Sequence, residues 1–566
     1  MTARMKFIEF RLSSLFITPL VVAALCATAN GDQKTSGPSV REVLKESGVA
    51  GGLVVHLGDG GGQILDSLHA NESYLVQGLC PDAGSVLEAR EYLRRKGLYG
   101  KVSVRYWDEG HLPHADNLVN LIVVSGGKWQ EASEEIARAL APRGVAMVNG
   151  SVATGHPSFV TQSPGGIQGW TKLVKRVPPE IDDWTHFLHA PDNNAVAEDS
   201  VVGLPNHLQW IGAPKYARSH EQLASVSAMV SAKGRLFYIA DLGQTADIRL
   251  PARWKLIARD AFNGMVLWTR TIGNWSNHLH SFRAGPPDLP FRLVAVGDRV
   301  YVSLDQPKPI HALDAVTGET LLTYKGTENA RQIMHVGDRL VMLTGTSQVD
   351  IQRELRGIAS AKRSITAANP ETGAVLWRKA VGKDALLPVV ASGGSLLYQT
   401  KALLVCLDLA TGREKWRTAH PLALPKPKSK DWNWVTPTLT AKNGIVYVSD
   451  LKSLSAISVK DGKTLWGCSS KAGFCSSPDT FLIDGLLWRG YTGKRGAADF
   501  GQGLNMATGE LEREFDTQKA WDFATLAHYR CYKPKATSNF ILSSRSGVEF
   551  IDVVSGEIRN NFWLRG

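Results

Sequence analysis

Between Pro178 and Asn194 the chain reads Pro-Pro-Glu-Ile-Asp-Asp-Trp-Thr-His-Phe-Leu-His-Ala-Pro-Asp-Asn-Asn. Residues of these types could do chemistry. If His186, His189, Asp192 and Asn194 line one site, they could ligate a divalent metal or exchange protons near neutral pH. The spacing matches no known metal motif. The same residues have an ordinary structural use, with Trp184 and Phe187 plugging the interface between domains while Asp and Asn cap turns. That second use is the expectation here. Arg218, His220 and Glu221, and the pair His278 and His280 on one strand face, are read the same way, as turn or surface groups.

A second stretch with chemical potential is Gly58-Asp59-Gly60-Gly61-Gly62. The apolar run Gly52–Leu57 precedes it, and a helix is expected to start near Gln63. Glycines let a backbone approach a ligand closely, and a helix N-terminus offers unpaired N–H donors to an anion. Around this turn strands are predicted at 74–79, 102–104, 118–124 and 144–148, with helices at 39–47, 83–96 and 131–140. Strands alternating with helices predict a parallel sheet, a Rossmann-like α/β domain over residues 38–176.

The order and motifs of this domain resemble class I S-adenosylmethionine-dependent methyltransferases. The glycine turn matches that family's G-x-G-x-G loop, and Trp107-Asp-Glu-Gly-His-Leu-Pro113 resembles its adenine-side loop. Leu140-Ala-Pro-Arg-Gly144 resembles its L-x-P-G-G turn. The resemblance implies a vestigial cofactor site at Gly58, Gly60, Gly62, Asp82 and Asp108. Two departures argue against activity. The family's ribose-holding acid at the end of the second strand is Cys80 here, with Asp82 two residues further on, and the acidic position at the start of the fourth strand is Asn120. A thiol cannot accept two ribose hydrogen bonds as a carboxylate does. Methyl transfer is therefore the third reading of the chain's function, since a fold does not carry activity with it.

The rest of the chain is organised by one repeated phrase. It stands at Asp260–Gly264, Asp314–Gly318, Asn369–Gly373, Asp408–Gly412, Ser458–Gly462, Asn505–Gly509 and Asp552–Gly556. The steps between its glycines are 54, 55, 39, 50, 47 and 47 residues, the period of a propeller or solenoid array. An apolar strand ends at the Asp or Asn, the Gly supplies the turn's positive φ, and a second strand follows. That second strand carries Trp268, Trp377, Trp416 and Trp466 four residues after the Gly. This resembles the PQQ-like (quinoprotein-type) β-propeller repeat A-x-D-x-x-T-G-x-x-x-W, over residues 224–566. The fold class expected is multidomain: the α/β domain, a connector over 177–223, and an all-β propeller of seven blades. His207–Gly212 reads as one outer strand of an incomplete eighth.

The resemblance makes a PQQ- or metal-dependent oxidoreductase the second reading. Quinone enzymes of this fold stack the quinone on a Trp and a vicinal disulfide beside calcium. No two cysteines are adjacent here, and the repeat tryptophans already have a packing role. No cofactor, metal ligand or catalytic residue is assigned; PQQ and S-adenosylmethionine enter by resemblance only. The first reading is an exported, non-catalytic binding scaffold whose partner is a protein, peptide or glycan at the propeller face.

Composition fits a protein working outside the cytoplasm. Arg4, Lys6 and Arg11 precede the apolar run Leu12–Ala27, and Ala27-Thr28-Ala29 gives a small-x-small cleavage pattern. Residues 1–29 thus read as a signal peptide, placing the mature chain in the periplasm or outside the cell. No later stretch is apolar and long enough to span a bilayer. Formal net charge is +11, but no basic block interleaved with aromatics supports nucleic-acid binding. Of six cysteines, Cys468 and Cys475 are close enough in sequence to pair after export; two separate thiols fit equally well.

Overall fold

The computed structural model describes residues 38–561 except 60, 109, 127–132, 151–154, 220–221, 281–285, 346–361, 383–385, 425–436, 471–478, 493–497, 516–532 and 544–547. The leader, Gly60, His220, Glu221 and Cys475 lie outside the described residues.

The first architectural unit along the chain is a seven-stranded sheet. Its elements are α1 (Val40–Ser47), β1 (Gly52–Leu57), α2 (Gly62–Leu68), β2 (Tyr74–Cys80), α3 (Ala83–Arg95) and β3 (Val102–Tyr106). They continue with β4 (Val119–Val124), α4 (Ser133–Ala139), β5 (Leu140–Asn149), β6 (Phe159–Gln162) and β7 (Trp170–Lys175). The strand order is β3-β2-β1-β4-β5-β7-β6. Strands β1 to β5 are parallel, and β7 runs antiparallel to both β5 and β6. Both faces of β1 are covered, which is why it reads as a continuous apolar run. Val54 packs with Leu65 of α2 and Leu93 of α3, while Val55 and Leu57 pack with Ile136 of α4. The chain winds outward from β1 to β3, then returns to β4 on the other side of β1. That reversal leaves a crevice at the carboxyl ends of β1 and β4, the usual ligand position in such sheets.

Seven antiparallel blades follow. Six have four strands, and the seventh sheet gains a fifth from β8 (Val196–Ala197), which pairs parallel to its innermost strand. In six of the seven phrases the opening Asp or Asn closes the turn by accepting hydrogen bonds from backbone N–H groups; Asp314 Oδ1 takes those of Val316 and Thr317 at 2.8 Å. Each repeat tryptophan docks on the turn of the following blade. Trp268, Trp377, Trp416 and Trp466 donate from Nε1 to the carbonyls of Ala315, Leu409, Val459 and Met506 at 2.9–3.0 Å. The turn glycine leaves room for the ring, since a Cβ on Gly412 would stand 2.5 Å from Trp377. These four blade pairs therefore stack through one repeated Trp–Gly contact, while Leu322 and Phe515 stand over Gly373 and Gly556.

His207–Gly212 differs from its sequence reading. It forms no strand. Trp210 nevertheless docks on the first blade as the repeat tryptophans dock on theirs, donating to Ala261 O at 3.1 Å with its ring over Gly264. The Trp knob needs only a side chain at the right place, not a hydrogen-bonded strand behind it.

The first blade also carries the α/β sheet. Asn120 Nδ2 donates to Asp260 Oδ2 at 2.6 Å, and Asn263 Nδ2 donates to Asn120 Oδ1 at 2.6 Å and Leu118 O at 2.9 Å. Asn120 Oδ1 also accepts from Leu53 N–H at 2.8 Å. Ser73 Oγ donates to Leu267 O. All the sheet residues involved lie at the amino ends of the parallel strands, so the crevice opens on the side away from the propeller.

Candidate functional site

The residues of the 178–194 cluster do not sit between the domains. They run through the middle of the propeller and bond to the innermost strand of every blade in turn. In the first blade Ser231 N–H donates to Trp184 O at 2.8 Å, and in the second Ala295 N–H donates to Thr185 O at 3.0 Å. In the third, His335 N–H donates to His186 Nε2 at 3.0 Å. The fourth gives Ala391 N–H to Pro191 O and takes Asn193 Nδ2 on Val389 O, both at 2.9 Å. In the fifth, Ala441 N–H donates to Asp192 O at 2.9 Å. Asn194 grips the sixth twice, accepting from Leu482 N–H at 2.9 Å and donating to Leu482 O at 3.1 Å. The seventh gives Ala536 N–H to Ala195 O at 2.8 Å and pairs with β8. Leu188, Ala195 and Val196 complete the plug by packing on Phe481, Ile541 and Ile551.

The plug's polar groups are set by these bonds. His186 is buried, and burial, with the nearby His335 and His189, pushes its pKa down to about 3. Its Nε2 accepts a backbone N–H, so it carries the lone pair, and Nδ1–H is left to bond Thr185 Oγ1 at 2.7 Å. His189 has a left-handed backbone, φ 68°, and its Nε2 lies 2.7 Å from Asp182 Oδ2. Burial works against the Asp182 charge, but bonds from His189 and Glu198 N–H hold that carboxyl below its ordinary range. Asp192 is pushed up by burial, while its Oδ1 accepts Asn194 N–H. Among the described residues no three His, Cys, Asp or Glu side chains are grouped closely enough to hold a metal. Arg218 is buried on Asp241 at 2.6 Å and also donates to the Gln244 and Leu250 carbonyls, a structural brace of the first blade.

At the sheet crevice the glycine turn and its neighbours come together as the topology requires. Gly58 has φ 134°, and a Cβ there would stand 3.0 Å from Ser125 Oγ. Gly62 opens α2 and is held against Tyr92 of α3, where a Cβ would stand 2.6 Å from the ring. Asp82 N-caps α3, accepting Ser85 N–H at 2.6 Å, and that bond holds its carboxyl below the usual range. Its charge is engaged by a helix end. Cys80 is fully buried in the core beneath α2 and α3. Asp108 is exposed after β3, next to the buried Trp107, whose Nε1 donates to His111 O at 2.9 Å.

Two features were not singled out from the sequence. His56 of β1 is fully buried, held neutral by burial with a pKa near 4, and its Nε2 lies 2.7 Å from Ser125 Oγ. Asp288 is buried against Arg292 and Arg331, which hold its carboxyl near 2 against the opposing effect of burial. His56 carries no local mark because Ser125 lies beyond a neighbouring strand, whereas Asp288 meets Arg292 four residues on and only Arg331 belongs to another blade. A separate open groove of about 630 Å³, lined by Arg41, Lys45, His69 and Tyr74 among others, lies at the amino end of the sheet, away from the crevice.

A family model described as outer membrane protein assembly factor BamB matches residues 361–511. The solved structure of BamB from Moraxella catarrhalis is 16% identical, with a TM-score of 0.35 over 55% of this chain and 76% of that one. The computationally designed Ika8 protein is 13% identical, with a TM-score of 0.38 over 60% and 87%. A protein from Methanococcus maripaludis described as an S-adenosyl-L-methionine-dependent methyltransferase is 16% identical, with a TM-score of 0.22 over 25% and 84%. No curated protein matches the chain. No helix among the described residues is long and apolar enough to cross a membrane.

Proposed function

We propose that the chain is an exported binding scaffold without catalysis of its own, presenting the propeller to a protein, peptide or glycan partner. One observation carries this reading. The propeller axis, where such a ring offers a channel for a small ligand, is filled by the chain's own residues 184–196, bonded to the inner strand of all seven blades. Binding is left to the loops around the rim. The α/β domain is read as a docked companion whose cofactor site at Gly58, Gly60, Gly62, Asp82 and Asp108 is vestigial. Asp82 serving as a helix cap and Cys80 lying in the core support that reading. The basic and apolar leader over 1–29 supports export to the periplasm or beyond, as does the name of the matched family model. The divisions at 38–176, 177–223 and 224–566 are kept as working boundaries.

A thermal-shift screen of the mature chain tests it, with PQQ plus calcium, S-adenosylmethionine and S-adenosylhomocysteine as probes. A ligand bound only by the folded state at a hundred times its Kd adds about 2.7 kcal/mol. The expected result is no shift with any of them. A shift with the quinone would move chemistry into the propeller, and one with an adenosyl compound would mean that the crevice still binds.

A further inference from the structure

We infer that the groove at the amino end of the α/β sheet binds a small organic anion, its acid group held by Arg41 and Lys45 and its apolar body resting on Leu44 and Val49. The inference is independent of the scaffold reading, since it uses neither the propeller face nor the crevice. The groove is formed by α1, the end of α2 and the residues that lead into β1 and β2. At about 630 Å³ it has the size of a small-ligand site. It runs up to the join with the first blade. The lining residues Ala50 and Tyr74 are followed and preceded by Gly51 and Ser73, which meet that blade. Ser73 Oγ donates to Leu267 O, and a Cβ on Gly51 would stand 3.2 Å from the Leu267 side chain. Joins between domains are where such sites concentrate.

The charges around the groove select the ligand. Arg41 and Lys45 are exposed and lie one turn apart on α1, so they share one face, where like charges repel. Neither makes an ion pair among the described residues. Lys172 adds a third cation at the edge. Its Nζ donates to Glu46 O at 3.0 Å and would stand 3.8 Å from a Cβ on the lining Gly48. The carboxylate in the lining, Asp66, already accepts from Tyr92 Oη at 3.0 Å. Glu46 turns its own carboxylate to Gly166, off the groove. A guanidinium beside an ammonium suits a carboxylate, which accepts from both in charge-assisted hydrogen bonds. The walls are fixed before a ligand arrives. Tyr74 Oη donates to Val49 O at 2.9 Å, and His69 Nδ1 donates to Tyr74 O at 2.8 Å, since a carbonyl only accepts. Leu44 is packed into the core of the sheet, with Val49 against it. Binding to walls already in place costs little ordering.

The test titrates hexanoate into the full mature chain at low ionic strength by calorimetry, with hexanamide and inorganic phosphate as comparison probes. Hexanoate should bind saturably, and the uncharged amide about tenfold or more weaker, the worth of one charge-assisted hydrogen bond. Phosphate has no apolar body and should bind more weakly than hexanoate. Arg41→Gln combined with Lys45→Gln should weaken hexanoate about tenfold or more as well. Ala70→Trp, which fills the groove from its exposed rim, should abolish binding. The amide comparison needs no variant, so it holds even where a variant fails to fold. An absence of saturable hexanoate binding overturns the inference. So does hexanamide binding as tightly as hexanoate, phosphate binding more tightly, or hexanoate binding that survives both variants.

Discussion

The crevice of the α/β sheet and the axis of the propeller are the two places where these folds usually take a ligand, and the chain treats them differently. At the crevice Gly58 and Gly62 keep their close approaches while the side chains have other work. Gly58 still turns with φ 134°, but Asp82 caps α3 and Cys80 points into the core. At the axis the blades are regular, and the space itself is filled by residues 184–196. A binding position can thus fall out of use by reassigning its groups or by occupying its volume. The first is open to reversal by a few substitutions. The second is tied to the stability of the whole ring, because the filling chain satisfies backbone groups of all seven inner strands.

That contrast can be broken or sharpened by three measurements. The largest effect should come from acid, because each place holds a buried neutral imidazole. His186 titrates near 3 and His56 near 4, both below the ordinary 6.5. The unfolded chain therefore binds more protons than the folded one below pH 6.5. Their contribution is complete above that pH and is lost as pH falls toward 4 and 3. Between pH 7 and 5 each ring should remove about 2 kcal/mol, measured by urea unfolding. His56→Gln should lower that slope by the share of one ring, and His114, also lowered to about 4, adds its own share to it, whereas an unchanged slope would mean that the His56 ring is not held neutral.

Next in size is Asn194→Leu, which removes a two-way grip on Leu482, leaving its buried N–H unpaired and its C=O with only Lys442 Nζ at 3.4 Å. A loss of about 2–4 kcal/mol is expected, with the sixth and seventh blades becoming the first sites of limited proteolysis. A loss below about 1 kcal/mol would show that the plug merely fills space. The smallest effect should be that of Asp82→Ala at the crevice, a slight loss of stability from the missing helix cap. Chemical denaturation resolves it, and a stability gain instead would show the Asp82 charge to be kept for something other than the cap.

The sequence was legible where the determining contacts are local. The Asp-x-x-x-Gly turn closes on itself within five residues, so seven blades could be counted, and the apolar runs with their glycine turn gave the alternating sheet. It was not legible where partners are remote. The residue types of the 178–194 cluster suit a domain interface, yet its hydrogen bonds reach inner strands from Ser231 to Leu482. The real interface uses Asn120, noticed only as a missing acid, against the first turn, where Asn263 stands in place of the Thr317 or Thr411 of other blades. Trp210 was read as part of a strand because it looks like the repeat tryptophans, and it does share their docking while lacking their strand.

The plug precedes every blade in the chain, and this sets the order of chain-closure costs in folding. Trp184 waits 47 residues for Ser231, whereas Ala195 waits 341 for Ala536 (536 minus 195). Loop-closure entropy grows only with the logarithm of length, so the last blade joins at about 1.8 kcal/mol more than the first. A ring built on its own spindle therefore gains members at nearly constant cost, and its late blades depend less on their neighbours than a hollow ring's would.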